Sequence, residues 1–117
     1  LGSFSEVIVE FAGRMRLRYI KLLPSDGPST WTGTDIDIYG SLSAYGARLA
    51  AGSVRYLAGA GVPLRRDSDI ARIDASGALG HYVRAAANSY ELPAITGVRL
   101  DNGWIGNGST FRIWGRE

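Results

Sequence analysis

The 117-residue chain contains no cysteine, one histidine, one methionine and one lysine. Without cysteine there is neither a disulfide framework nor Cys-ligated zinc, and the compartment stays open. With His81 alone, no multi-His metal site or Cys-His catalytic pair can be built within one chain. A Ser-His-Asp triad is formally available, but no G-x-S-x-G elbow accompanies it, so His81 reads as a partly buried strand residue. Long apolar runs are missing too: no window approaches the stretch of about 18 residues needed to cross a bilayer, and no charged leader precedes an apolar segment. Charge of one sign is scarce, at a net +2, well short of the basic excess and recognised motifs of nucleic-acid binders. Membrane insertion and nucleic-acid binding are therefore not expected, and no cofactor is implied. The Gly59-Ala60-Gly61 segment lacks the third glycine, preceding strand and following helix of a dinucleotide site.

Glycine, by contrast, is abundant at 16 residues, about twice its ordinary share, which favours tight turns and short strands over long helices. Apolar residues make up 45% of the chain, and 117 residues are enough for one core without staples. Residues 1–3, Leu1-Gly2-Ser3, read as a protease-cleaved expression scar. A single β-sandwich domain is then expected over residues 4–117, in a natural segment that starts near Phe4 within a longer protein, as the absent initiator Met suggests.

Along the chain, Glu6–Phe11 (EVIVEF) predicts a strand with too little alternation to expose one whole face, hence a central or interface strand. Ala12-Gly13 is expected to break it. From Arg14 the pattern sets Met15, Leu17 and Tyr19 on one face and Arg14, Arg16 and Arg18 on the other. That arginine row reads either as an anionic-ligand surface or as a solvated or interface face. Twelve of the thirteen basic residues are Arg, a bias that a GC-rich genome explains and that also suits interfaces and anionic glycans. Leu23–Ser29 is a Pro/Gly turn cluster. Next, Asp35-Ile36-Asp37-Ile38-Tyr39-Gly40 predicts a strand with Ile36 and Ile38 inward. Leu42–Leu57 is Ala-rich enough for a short helix between Ser43 and Ala51, although Gly46 and Gly52 weaken it by roughly 1 kcal/mol each, and a strand at Ser53–Leu57 is the better reading. Ala58–Pro63 is a turn, residues 74–77 another, and Gly80–Ala87 a strand. Asn88–Pro93 is expected to lie as a loop across the sheet edge.

The final segment is the most informative. Ile95 to Leu100 and Phe111 to Trp114 alternate as half-buried strands, and Asp101–Ser109 between them is rich in Gly and Asn, which predicts a closing β-hairpin. The order ITGVRL, DNGWIGNGS, TFRIWG resembles the C-terminal strand pair of jelly-roll domains that end many tailed-bacteriophage tail, spike and fibre proteins, and SEVIVEFAGRMRLRYIKL is similar to their opening strand pair. The resemblance implies an all-β, jelly-roll-like antiparallel β-sandwich of about seven to nine strands. It also implies residence on a virion or phage-like particle, other particle subunits or a homotrimer as partners, and a receptor-binding or structural role rather than catalysis.

Candidate ligand contacts follow from residue chemistry. Trp31 sits between threonines in a Pro/Gly loop and Trp104 in a Gly-rich loop; such indoles stack on pyranose faces, or else plug the sandwich end or an interface. Asp35 and Asp37, with Tyr39, share one strand face. Carboxylates two residues apart on a strand stand about 6–7 Å apart, a separation glycosidases also use. Hydrolysis, however, requires carboxylates converging on a cleft from different elements. Hydroxyl recognition, a Ca²⁺ contribution or plain solvation remain open for this pair. The expected function is non-catalytic recognition of a bacterial surface polysaccharide; the alternative is an assembly or oligomerisation domain with no ligand of its own.

Overall fold

The computed structural model describes residues 3–16, 19–24, 32–35, 49–73, 77, 79–101 and 104–117. They form nine strands and, among the described residues, no helix. Strands β1 (Glu6–Arg16), β4 (Leu49–Leu57), β5 (Pro63–Ile73) and β6 (Leu79–Glu91) lie in the order β6-β5-β4-β1. The free side of β1 is covered by β9 (Thr110–Arg116) and by the two-residue β8 (Trp104–Ile105). A smaller sheet has the order β3 (Thr32–Asp35), β2 (Tyr19–Pro24), β7 (Ile95–Asp101). All pairings are antiparallel, so the expected all-β class is what the chain adopts.

The core follows from alternation. Val7, Val9, Phe11 and Met15 of β1 are buried, as are Ala50, Val54 and Tyr56 of β4 and Leu64 and Ile70 of β5. The register sets Val7 opposite Tyr56 and Val9 opposite Val54, so directly opposed side chains share the inner face. Ile20 and Leu22 of β2, Leu92, and Ile95 of β7 belong to the same buried cluster, which joins the two sheets. Each such aliphatic side chain contributes about 1.5–3 kcal/mol on burial.

Inward parity is odd in β1 and even in β2. β1 belongs to the large sheet and β2 to the small one, and the phase of alternation differs between the two strands. Of the expected arginine row, Arg14 and Arg16 hold positions of the same parity on β1, opposite to that of buried Met15. Arg14 is exposed on β1, Arg16 ends that strand, and Arg18 lies outside the described residues.

Several expectations are corrected. Ala12-Gly13 does not break the first strand: β1 runs through it, with Gly13 at φ 136°. A side chain there would meet Ser109, because the turn between β8 and β9 presses on this point. The closing segment is not a hairpin. β7 pairs with β2 in the small sheet and β9 with β1 in the large one. The apolar inner face of β1 needs a neighbour on its second side, and Phe111 comes to lie opposite Phe11. Residues 49–51, assigned to a helix end, are strand, since Leu49 and Ala51 alternate with buried Ala50. Asn88–Glu91 is not a loop but the end of β6, with Glu91 opposite Pro63 after a register shift. Of the strand expected over residues 35–40, residues 36–40 lie outside the described residues, and Asp35 is the last residue of β3, opposite Tyr19. β4, β5 and β6 form a simple meander, and the strand order alone does not establish jelly-roll connectivity.

Candidate functional site

The alternation that buries one face of the large sheet leaves the other facing solvent. Register places its residues in rows across the strands. One row is His81, Ala71, Ala51, Ala12 and Thr110; the next is Val83, Asp69, Ser53, Glu10 and Arg112; the third is Ala85, Asp67, Arg55, Ile8 and Trp114. The first row is mostly alanine, so the sheet surface is low there, and longer side chains of the second row stand along its margin.

The result is a shallow depression of about 560 Å³, floored by Ala12, Ala51 and Ala71 and edged by Glu10, Asp69 and Arg112. A second hollow of about 320 Å³, toward β6, shares Ser53 and Asp69 with the first. Together they make a trough across five strands, from Arg112 on β9 to Val83 on β6. At the strand spacing of a sheet, four intervals span about 19 Å.

Charges along the trough are unevenly matched. Arg55 Nε and Nη2 both donate to Glu6 Oε2 at 2.7 Å, and Arg65 Nε donates to Asp67 Oδ1 at 3.1 Å. His81 Nε2 lies 2.6 Å from Asp69 Oδ1, an N–H donated to the carboxylate, with both side chains more than half exposed. Glu10 and Arg112 stand opposite each other in the β1–β9 register, yet among the described residues neither forms an ion pair. One carboxylate and one guanidinium are thus presented side by side, each with hydrogen-bonding capacity to spare. Trp114 follows Arg112 by two residues on the same face and is 46% exposed. Together these groups offer an apolar ring, a multiple donor and carboxylate acceptors around a smooth floor, which suits a flat polyhydroxylated ligand.

None of the described residues among the sequence candidates lines this trough. Trp31, Asp37 and Tyr39 lie outside the described residues. Asp35 ends β3 in the small sheet, away from the strands that carry the trough. Trp104 pairs with Arg16 at the far end of β1 from Trp114, and Arg14 is exposed near that same end. The residues that do come together, Glu10, Ser53, Asp69, Arg112 and Trp114, are spread over four strands. The usable local signal was the RIWGR alternation of residues 112–116, where a large aromatic falls between two arginines on the polar parity. No group of three or more metal-ligating side chains occurs among the described residues, and no helix there is long and apolar enough to cross a membrane.

Comparison with known proteins adds no assignment: no protein-family model, no curated protein and no solved structure matches the chain.

Proposed function

We propose that this chain is a non-catalytic receptor-binding module of a phage or phage-like particle and that it recognises a bacterial cell-surface glycan along the open face of its large sheet. The particle context rests on the resemblance of the closing and opening strand segments. The ligand class rests on one observation: an extended alanine-floored trough carries Glu10 and Arg112, which form no ion pair among the described residues, beside the exposed ring of Trp114. A pyranose stacks its apolar face on an indole while its hydroxyls donate to carboxylates and accept from guanidinium. Exposed carboxylates in a shallow, open surface favour binding over acid–base chemistry, which works best where burial tunes one of a pair. Single-site affinity would be weak, and display in several copies on a particle raises it without new contacts.

The test is a panel of purified envelope polysaccharides titrated against the protein, with Trp114→Ala and Arg112→Ala in parallel. Saturable binding to one glycan class that falls by at least about tenfold in either variant, equivalent to about 1.4 kcal/mol, supports this function and this face. Binding unchanged in both variants moves the site elsewhere. An absence of binding to every polysaccharide, even with the protein displayed multivalently, removes glycan attachment.

A second reading, an assembly domain that docks on another particle subunit, is favoured by a different feature. Leu49, Ile73 and Leu79 stand side by side on β4, β5 and β6 and are 50%, 39% and 75% exposed. An apolar row of this kind at the end of a sheet is characteristic of a contact surface.

A further inference from the structure

β6 is the outermost strand of the large sheet and pairs with β5 on one side only; among the described residues no strand pairs with its other side. From Leu79 to Ala87 it keeps one unbroken register with β5, and the register shift comes only beyond Ala87. These nine residues contain no Pro and no Lys, and Arg84 is their only arginine. An edge strand is ordinarily protected by charges, proline or a bulge, because its free N–H and C=O groups template pairing with another chain. Arg84 is the one arginine within Leu79–Ala87, neither proline nor a register shift interrupts the segment, and it also exposes apolar side chains, with Leu79 at 75% and Val83 at 68%.

We propose that this edge is a self-association surface: two copies of the chain pair their β6 strands antiparallel about a two-fold axis at Val83 and merge their large sheets into one. The midpoint of Leu79–Ala87 is Val83, so this register alone lets all nine residues of each copy pair. It sets Val83 against Val83 of the second copy, His81 against Ala85, Leu79 against Ala87, and Arg84 against Tyr82. A register centred one residue later would oppose Arg84 to itself, and like charges directly opposite are unfavourable. On the open face, the larger side chains His81 and Leu79 meet alanines, and the Val83 pair closes over the axis. An isologous contact of this kind is complete with two copies and leaves no free β6 edge to propagate.

The pairing does not depend on any ligand, so its test is independent of the glycan reading, although it has a consequence for it. Each trough ends at Val83 on β6, so the two troughs of a pair meet at the axis and form one continuous groove.

Light scattering and sedimentation equilibrium from micromolar to sub-millimolar protein are expected to show a monomer–dimer equilibrium, approaching twice the 12.5 kDa monomer mass. Val83→Asp, checked for folding by circular dichroism, is expected to abolish the dimer by placing two carboxylates face to face. The chain has no cysteine, so Val83→Cys provides a second readout that does not rely on stability. Directly opposed strand positions bring Cβ atoms to about 4.5–5.5 Å, and mild oxidation should link V83C to itself. L79C alone should not self-link, but should cross-link when mixed with A87C. A protein that stays monomeric at the highest concentration overturns the proposal. So does an oligomer that survives V83D, or one in which L79C self-links as readily as V83C.

Discussion

Gly13 is the position where a single added carbon tests the fold most directly. It lies within β1 at φ 136°, and an ideal Cβ would fall 2.7 Å from the Ser109 Cα and 2.6 Å from its Oγ. The Oγ could rotate away, whereas the Cα cannot without moving the turn that joins β8 to β9. That turn is fastened to β1 at this point: Gly106 N–H donates to the Arg14 carbonyl at 2.8 Å and Ser109 Oγ to the same oxygen at 3.0 Å. Holding alanine at this dihedral costs about 1–3 kcal/mol, and forcing a methyl group into an occupied site costs a further 1–3 kcal/mol or so. A central value of about 4 kcal/mol, spread over the unfolding entropy of 117 residues, lowers Tm by roughly 16 °C. Gly61 provides the control. It sits at φ 78° in the β4–β5 turn with nothing within 4 Å of its would-be Cβ, so Gly61→Ala bears only the left-handed penalty of about 1–2 kcal/mol, or roughly 4–8 °C. Differential scanning calorimetry of the two variants separates strain from collision. If Gly13→Ala melts no lower than Gly61→Ala, Ser109 does not press on Gly13 and the join between β8–β9 and β1 has been misassigned.

Two further stability measurements probe the core and the surface. Met15 is fully buried at the end of β1, and Met15→Ala should cost about 2–5 kcal/mol through lost burial and the cavity left behind, read as a lower urea midpoint with an unchanged slope. Glu6→Gln removes the ion pair with Arg55, whose side chain is 46% exposed. Its cost should stay within about 1 kcal/mol and shrink further at high salt; a larger loss measured by the same urea titration would mean that the pair is screened from water.

The class of the fold was legible because it depends on local alternation and composition. Val7, Val9 and Phe11 alternate with Glu6, Ile8 and Glu10, and three of the four positive-φ glycines among the described residues, Gly61, Gly77 and Gly108, lie between strands. Which strand pairs with which was less legible. Residues 95–100 and 111–114 both alternate and are joined by a turn-rich loop, so a hairpin was the local solution. The chain instead spends that loop crossing from the small sheet to the large one, because Val9 and Phe11 require Ile113 and Phe111 as neighbours. No local rule specifies that choice. The trough was hidden for the same reason. Ala12, Ala51 and Ala71 are unremarkable one at a time, and only the cross-strand register aligns them. Sequence chemistry had pointed to conspicuous loop tryptophans, whereas the exposed indole of the open face, Trp114, belongs to the last strand.

That alignment also supplies the sharpest check on where a ligand sits. Ala51 is directly opposite Ala12 on one side and Ala71 on the other; it is exposed and lies at the centre of the depression floor. Replacing it with leucine adds three carbons in the middle of the trough without touching the inner face, where Val54 and Tyr56 carry the packing of β4. A surface substitution of this kind changes stability by no more than about 0.5 kcal/mol, and a strand tolerates a branched side chain well. The filled floor, however, denies a flat ring its approach between Glu10, Asp69 and Arg112 while leaving all three charges in place. If the trough is the ligand site, Ala51→Leu should keep its Tm and its dimer and lose glycan binding as completely as Trp114→Ala. Binding that survives Ala51→Leu but is lost in Trp114→Ala would confine the ligand to the β9 margin and leave the alanine floor as mere sheet surface. Loss in both variants, with Glu10→Gln intermediate, would show that shape and charge of the open face act together.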